Sequence, residues 1–494
     1  MQDADSQLVR ARLDKLQNLR AKGIEPYPYR FDRTHNSAQA VSYFEACEAD
    51  QCDGAHSDDV SVAGRIVRLR GMGKAIFLDL LDGHGRIQVL LRRNLLPDSF
   101  DTLKDIDIGD WLGVSGPLFR TRTKEITVEA QSWTLLSKSL RPLPEKWHGL
   151  VDVEARYRQR YLDLIANEEA RRAAAIRSQM VSALRTFMNL RGFVEVETPV
   201  LVPIAAGGTA RPFSTHYESL GRDLYLRIAT ELYLKKLIVG GFEKVYEIGR
   251  TFRNEGVDYY HNPEFTMMES YEAFADYTDV MSMVEEMVAS LADTVLGSRQ
   301  VEFDGDTIDL TPPWPRLDLR DEVKRRTGID FLEFPDLESL RTAMIAAGID
   351  IGEQVSWGGL MDKLLSSAVE PHLVQPAFLV DYPVEMSPLA KKKRDDPRVV
   401  ERFEGFVGGM EICNAFTELN DPVEQRGRLE KQEALHAQFQ DEDMDRLDED
   451  FLLAIEYGMP PTGGLGVGID RLAMLLSGHR NIREVVLFPQ LKDR

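Results

Sequence analysis

Cysteine is scarce in this chain: Cys47, Cys52 and Cys413 are all it has, and no two of them form a CxxC pair. That argues against a disulfide framework or a structural zinc site and fits a reducing compartment, so a cytoplasmic location is expected. Long apolar runs are missing too. No stretch approaches 18 consecutive apolar residues, and the opening "MQDADSQLVRARLDKLQ" has no apolar signal core, so neither export nor membrane insertion is expected. Positive charge is in deficit, with 60 Lys and Arg against 81 Asp and Glu and a net charge of −21. A surface of that sign does not bind nucleic acid non-specifically. A local exception lies between Ser61 and Ala75, where Arg65, Arg68, Arg70 and Lys74 occur with no acid among them.

What is there describes a globular protein of two or three domains: 494 residues, 43% hydrophobic and 29% charged. Residues 7–23 read as an amphipathic helix, with Leu8, Leu13, Leu16 and Leu19 between Arg10, Arg12, Lys15 and Arg20. It packs on its own domain or serves as a nucleic-acid arm. From Val60 to Lys138 five short strand candidates follow, "VSVAGRIVRLRGMG", "AIFLDLLD", "RIQVLLRR", "WLGVSGPLFRTRTK" and "ITVEAQSWTLLSK", with a helix expected near Asp98–Lys104. Five strands with Gly-rich corners predict a small OB-type barrel. Parity pairs Phe77 with Asp79, Arg86 with Gln88, and Arg68 with Arg70, a set suited to stacking and edge recognition of unstacked bases. A decorated polar face with no ligand is the competing reading.

The Pro-rich "LRPLPEKWHGL" (140–150) predicts a hinge, and the expected division is 1–58 N-terminal helical extension, 59–140 barrel, 141–160 hinge and 161–494 second domain. Beyond the hinge, "IRSQMVSALRTFMNLRGFVEVETPVL" reads as a helix stopped at Gly192 and a strand ending at Pro199. "DVMSMVEEMVASLADTVLG" reads as a second helix, and "QDEDMDRLDEDFLLAIEYG" as a solvated helix face.

"FRNEGVDYYHNPEFTMMESYEAF" (252–274) predicts a strand, a turn region over Gly256–Pro263 and a second strand. Period-2 alternation puts Phe265, Met267, Glu269 and Tyr271 on one face, and Gly249, Thr251 and Arg253 on one face of the first strand. An arginine fork opposite an aromatic ring and a carboxylate suits a substrate with both phosphate and ammonium; a surface hairpin with solvated charges is the alternative. In "RFEGFVGGMEICNAFTELNDP" (402–422), Asn414, Phe416 and Glu418 share a face, with Glu404 and Glu411 upstream. Carboxylates at that density call for a cation among them, and magnesium bridging phosphates is the usual one. Glu411 has the wrong parity to point with Asn414 unless a bulge or strand end intervenes. "GGLGVGIDRLAMLL" (463–476) is a strand entering a helix, without GxGxxG order or a P-loop Lys-Ser/Thr end. Its glycines clear space for a flat ligand beneath Arg471, or serve tight packing.

Motif by motif, these stretches resemble the class II aminoacyl-tRNA synthetases, in the bacterial-type lysine branch of subclass IIb. The helix and strand ending at Pro199 are similar to motif 1, "FRNEGVDYYHNPEFTMME" to motif 2 and "GLGVGIDRL" to motif 3. "ARPFSTH", "ELYLKKLIVGGFEKVYEIGR", "SPLAK" and "ERFEGFVGGMEICNAFTELNDP" are similar to the lysine branch. The resemblance implies an α+β architecture: an N-terminal OB-fold barrel, then a catalytic domain built on an antiparallel sheet flanked by helices. It implies ATP-dependent activation of L-lysine to lysyl-adenylate and transfer to the 3′-terminal adenosine of tRNA(Lys), with Mg2+ as cofactor and a homodimer. By position, Arg253 and Arg471 would be catalytic. ATP would meet Arg253, Glu255, His261, Asn262, Phe265 and Arg471, with adenine between Phe265 and Arg471, and Glu404 and Glu411 would hold magnesium. Lysine would meet Gly207 and Glu269 at its α-amino group, Arg253 and Asn414 at its carboxylate, and Glu231, Tyr271 and Glu418 at its ammonium, beside Phe416. Arg68, Phe77, Gln88 and Glu125 would read the anticodon. Family members usually carry Pro-Gly-Gly where this chain has Ala205, Ala206 and Gly207. An aspartyl- or asparaginyl-type relative and an inactive synthetase-like single-strand-binding protein are the alternatives.

Overall fold

Alternation of apolar and polar residues organises both halves of the chain, in two sheets of different kinds. The computed structural model describes residues 2–50, 57–143, 152–208, 210–438 and 447–492. Cys52, part of the expected hinge (144–151) and the start of the acidic segment (440–446) lie outside them. Internal contacts divide the chain into two units, Met1–Gly149 and Leu150–Arg494. No described helix is long and apolar enough to cross a membrane.

In the first unit, strands β1 (Asp59–Met72), β2 (Ala75–Leu81), β3 (Arg86–Arg92), β4 (Trp111–Arg120), β5 (Ile126–Ala130) and β6 (Ser132–Ser137) run in the order β1-β2-β3-β5-β4-β6. A further β1–β4 pairing closes them into the expected barrel around Val62, Ile66, Leu78, Leu80, Val89, Leu112 and Val128. The fifth expected strand is two strands. Its first part pairs with the end of β4 and its second with the start, and Gln131 between them donates to the Ser115 carbonyl at 2.8 Å. The corner closes tightly: a Cβ on Gly116 would collide with the Glu129 carbonyl. The expected helix near Asp98 is a short 3₁₀ turn, Phe100–Asp105.

The N-terminal helix, Gln2–Ala21, packs on this same unit. Its buried stripe is Arg12, Leu16 and Leu19, and Leu8 and Leu13 are exposed, contrary to the expected four-leucine face. The stripe follows i, i+4, i+7 from Arg12, whose guanidinium donates to the carbonyls of Ile108 (2.9 Å), Ser139 (3.1 Å) and Arg141 (2.9 Å). Arg10 and Arg20 face solvent.

The second unit is built on eight strands: β7 (Val194–Glu195), β11 (Lys244–Phe252), β12 (Glu264–Ala273), β15 (Arg316–Asp318), β16 (Ala377–Val380), β17 (Arg402–Val407), β18 (Met410–Thr417) and β19 (Thr462–Gly468). A three-stranded sheet (β8 Leu201–Val202, β9 Ser214–Tyr217, β10 Arg222–Leu226) and a hairpin (β13 Gln300–Phe303, β14 Asp306–Asp309) complete the set. The order is β15-β16-β17-β18-β19-β12-β11-β7, antiparallel through the centre and parallel only at its two edge pairs. Helices Glu168–Leu190, Tyr277–Leu296 and Ile469–Ser477 bury one face through Met180, Leu184, Val284, Met287, Leu472 and Leu475 against Met268, Tyr246, Leu465 and Val467. The opposite parity faces the candidate site.

Three expectations on this unit change in detail. The strand expected to end at Pro199 pairs only over Val194–Glu195, because Thr198 turns its backbone N–H and hydroxyl to Glu247 at 3.1 and 2.7 Å. Part of the expected hinge, Val153–Arg158, is a helix, capped by Asp152 and held to Glu484 through Arg156 and Tyr157. The described part of the acidic segment is a short helix, Glu449–Glu456, and its face is not solvated throughout. Phe451, Leu452 and Ile455 pack with Leu232, Val245 and Tyr271.

Candidate functional site

The register of the large sheet lines up the predicted residues. Glu404 pairs with Asn414, Asn414 with Gly466, Gly466 with Glu269 and Glu269 with Glu247, one row across five strands. The neighbouring row is Arg402, Phe416, Gly464, Tyr271 and Val245. On the other side Met267 pairs with Gly468 and Gly249, and Phe265 with Thr251. The hairpin thus has the expected parity, and Arg253 N donates to the Pro263 carbonyl where the ladder ends.

The parity problem of Glu411 is solved by a bulge. Gly405 pairs with Cys413 but Phe406 with Glu411, so Ile412 is an extra residue on β18. Ile412 and Cys413 both go to the buried side, and Glu411 returns to the face of Asn414 and Glu404.

Glycines on β19 keep this face open. A Cβ on Gly464 would collide with Glu418 Oε1 and the Tyr271 ring, and one on Gly466 would press the Met267 methyl at 3.2 Å. Gly207, at φ +94°, lies beside the other end of the row, where a Cβ would sit 3.7 Å from that of Glu231. Ala205 next to it is buried with Ala210 and Ile228.

Electrostatically the face divides in two. At one end Glu231, Glu269 and Glu418 are all buried among Tyr271, Leu232 and Phe451. Glu269 accepts from Thr230 N at 3.1 Å and from the Tyr271 hydroxyl at 3.4 Å, with no cation in ion-pair range among the described residues. Burial, then repulsion from Glu231, pushes it up to about 7. Glu418 is fully buried, its Oε1 has no hydrogen-bond partner, and burial raises its carboxyl well above the usual range. Burial likewise raises the Tyr271 phenol, with Glu231 next in effect.

Sequence reasoning missed the cation here, Lys235. It is completely buried, its Nζ donates to Glu231 Oε1 at 2.5 Å and pairs with Glu418 Oε2, and it lies 5.4–6.0 Å from the rings of Phe416, Phe451 and Tyr271. Burial works against its charge, but Glu231 and Glu418 outweigh that and raise it.

At the other end, the Arg253 guanidinium stands 5.2 Å over the Phe265 ring, and its buried Nε has no partner. Arg471, in the first turn of Ile469–Ser477, donates to the Glu411 carboxylate and carbonyl, each at 2.8 Å, and lies 3.2 Å from His261 Nε2. His261 is tied to Asp258 at 2.8 Å, and Glu255 is exposed in the same loop. Asn262 is buried and holds the loop itself, donating to the Glu264 carbonyl at 2.6 Å and accepting from Gln490 N.

Glu404 is held by Arg402 (2.7 Å) and the Tyr382 hydroxyl (2.8 Å), and Arg402 also donates to Asn414 at 3.1 Å. Burial and then Glu411 push Glu404 up to about 7. Glu370, a further carboxylate the sequence did not flag, is pushed up to about 8 by burial and by Glu404 and Glu411. It stands on a helical turn after Trp357–Ala368, away from every strand motif, so no local signal marked it. Among the described residues no three His, Cys, Asp or Glu form a metal cage. Magnesium needs none: it keeps waters and takes one or two carboxylates plus phosphate oxygens, which Glu404 and Glu411 fit.

In the barrel, Arg68 pairs across strands with Asp79, Asp79 with Gln88, and Gln88 with Thr127. Gln88 donates to Glu125, Thr127 donates to Gln88 at 2.8 Å, and Arg68 and Arg86 both lie 3.6 Å from buried Asp79. Phe77, two residues along β2, shares their face half-exposed. All four predicted anticodon residues are brought to one surface.

Residues 152–492 match the family model for tRNA synthetases class II (D, K and N), and 60–136 that for the OB-fold nucleic acid binding domain. The chain is 56% identical to a lysine–tRNA ligase of Dehalococcoides mccartyi over 98% of this chain and 97% of the other. It is 50% identical to one of Moorella thermoacetica (100% and 99%) and 49% to one of Staphylococcus aureus (99% and 99%).

Proposed function

The chain belongs to the class II tRNA synthetases of the D, K and N group, and from that premise we propose the reaction in detail. The enzyme is an aminoacyl-tRNA ligase that activates L-lysine with ATP and charges tRNA(Lys). A lysine carboxylate oxygen attacks the α-phosphorus of ATP, the bond to the β-phosphate oxygen breaks, and pyrophosphate leaves. A hydroxyl oxygen of the 3′-terminal adenosine of the tRNA then attacks the lysyl carbonyl carbon, the bond to the adenylate phosphate oxygen breaks, and AMP leaves. Such a step needs alignment and charge neutralisation more than a general base.

Arg253, with its free Nε, meets the α-phosphate and the lysine carboxylate, and Asn414 holds the latter. Adenine lies between Phe265 and Arg471, and Glu255, His261 and Asn262 line its loop. Glu404 and Glu411 hold Mg2+, which when bound neutralises phosphate charge. Gly207 and Glu269 take the α-ammonium; Glu231, Tyr271 and Glu418, beside Phe416, take the side-chain ammonium. Arg68, Phe77, Gln88 and Glu125 of the 59–140 barrel read the anticodon. We further place the enzyme in the cytoplasm as a homodimer.

The observation that carries this reading is the buried carboxylate Glu418, with an oxygen that nothing satisfies. A buried carboxylate with one oxygen left unsatisfied favours a cationic guest. An aspartyl- or asparaginyl-type pocket would offer an arginine there instead. The inactive single-strand-binding reading is disfavoured by Arg253, whose buried Nε has no partner, and by the carboxylate pair Glu404 and Glu411. ATP–pyrophosphate exchange tests the proposal: it should depend on lysine, and equal or better support by aspartate or asparagine would overturn it.

A further inference from the structure

Lys235 stands where the proposed pocket needs explaining, since it already faces two of the carboxylates offered to the substrate. It sits one turn after Glu231 on the helix Glu231–Val239, whose buried residues are Glu231, Leu232, Leu234, Lys235 and Ile238. Its ammonium touches one oxygen of each partner, Glu231 Oε1 and Glu418 Oε2. Glu418 Oε1 is left over, aimed at the space above Gly464 that the missing Cβ opens. The aromatic rings of Phe416, Phe451 and Tyr271 wall the ammonium in, and the helix Glu449–Glu456 supplies one of them.

We propose that Lys235 is a specificity-determining positioning residue, a built-in counter-ion that clamps one oxygen of Glu231 and of Glu418 and leaves the other oxygens to the substrate ammonium. The inference rests on the lysine-activating reading above. It also accounts for the pocket's charge. With lysine bound and all three carboxyls ionised, Glu231, Glu269 and Glu418 against Lys235 present two negative charges to the two ammonium groups that lysine brings. Without Lys235 a third buried carboxylate would stand uncompensated. The helix rules out a loosely held side chain: Lys235 is fully buried, whereas Lys236 beside it reaches Asp450 at the rim.

The test is steady-state ATP–pyrophosphate exchange on the full chain, wild type, Lys235→Met and Lys235→Arg, with thermal melting as the folding control. Wild-type exchange that does not depend on lysine removes the underlying reading, and this inference with it. Given lysine dependence, Lys235→Met should raise the KM for lysine by about tenfold or more and leave the KM for ATP within about twofold. A purely structural lysine would instead lower kcat or shift both KM values together, and that result overturns the proposal. A lysine KM that is unchanged or lowered also overturns it, the latter because Lys235 would then be competing with the substrate. Should Lys235→Met not melt cooperatively, Lys235→Arg decides. The charge being kept, its lysine KM should stay within about threefold of wild type, and a rise of about tenfold or more rejects the inference.

Discussion

The molecule carries two polar sheet faces, and they handle charge in opposite ways. On the barrel, Arg68, Arg86 and Arg92 are about half exposed and stand 3.3–3.6 Å from Asp79 and Glu129. At the large sheet and the helix Glu231–Val239, Glu231, Glu269, Glu418 and Lys235 are buried, and the Glu231–Lys235 pair closes to 2.5 Å. Exposed pairs of the first kind are worth about 0–1 kcal/mol each and are screened by salt. Breaking a buried pair of the second kind costs about 3–5 kcal/mol. The barrel face therefore suits reading several bases through many small, replaceable contacts. The large sheet suits an all-or-none decision about one chemical group.

The sharpest way to break the comparison is Arg253→Ala. It removes a donor whose buried Nε has no partner at the proposed phosphate end, and adenylate formation should fall by about 3–4 kcal/mol or more. Near-normal pyrophosphate exchange by a folded variant would take Arg253 out of the chemistry. Next comes Glu418→Gln, which keeps shape and removes charge. The loss in kcat/KM for lysine should be about 2–3 kcal/mol, the low end for a buried charge pair because Glu231 remains. If ATP KM rose while lysine KM held, the two ends of the face would have been assigned the wrong way round.

Phe77→Ala addresses the barrel. Losing a stacking ring should weaken tRNA charging by about 1–3 kcal/mol and spare lysine activation. Equal damage to both half-reactions, measured by charging and exchange assays side by side, would make the barrel face structural.

The smallest effect concerns pH. Glu269 ionises at about 7 in the free protein because burial and Glu231 raise it. Only the carboxylate form pairs with an α-ammonium, so lysine affinity should climb about tenfold per pH unit up to about 7 and then level off, with a proton released on binding. The sign for stability is the reverse. A carboxyl raised in the fold contributes fully below its unfolded value and loses that contribution as pH rises through about 7. Calorimetric titrations of lysine in buffers of different protonation enthalpy would read the released proton directly. A flat profile from pH 6 to 8 would mean that Glu269 is ionised before lysine arrives.

Much of this was legible in the sequence where period 2 runs through long strands. The parity of Phe265, Met267, Glu269 and Tyr271 held because β11 and β12 pair without a break from Lys244–Glu272 to Phe252–Glu264. Glu411 was legible as a contradiction, which the bulge at Ile412 resolves. Lys235 was not recognised, because a Glu and a Lys four apart read as a solvated helix pair. The signal was nevertheless present. Glu231, Leu234, Lys235 and Ile238 follow the i, i+3, i+4, i+7 spacing of a buried stripe, which puts Lys235 inside and Lys236 toward the rim. Exposed Leu8 and Leu13 show the same rule from the other side, since leucines near a stripe do not all belong to it. The short pairing of Val194–Glu195 depended on a tertiary partner, Glu247, that no local pattern announces.

The extra residue on β18 has a consequence for how this strand can change over generations. In a regular strand a one-residue deletion turns every side chain beyond it to the other face. Here Ile412 and Cys413 both occupy the inner side between Glu411 and Asn414. Removing Ile412 would straighten the strand and leave Glu411 and Asn414 in phase, while removing a residue between Asn414 and Glu418 would carry one of them away from the site. The strand thus has one position where length is free to drift and a neighbouring stretch where it is frozen, and relatives that differ in length here should differ on the Glu411 side of Asn414.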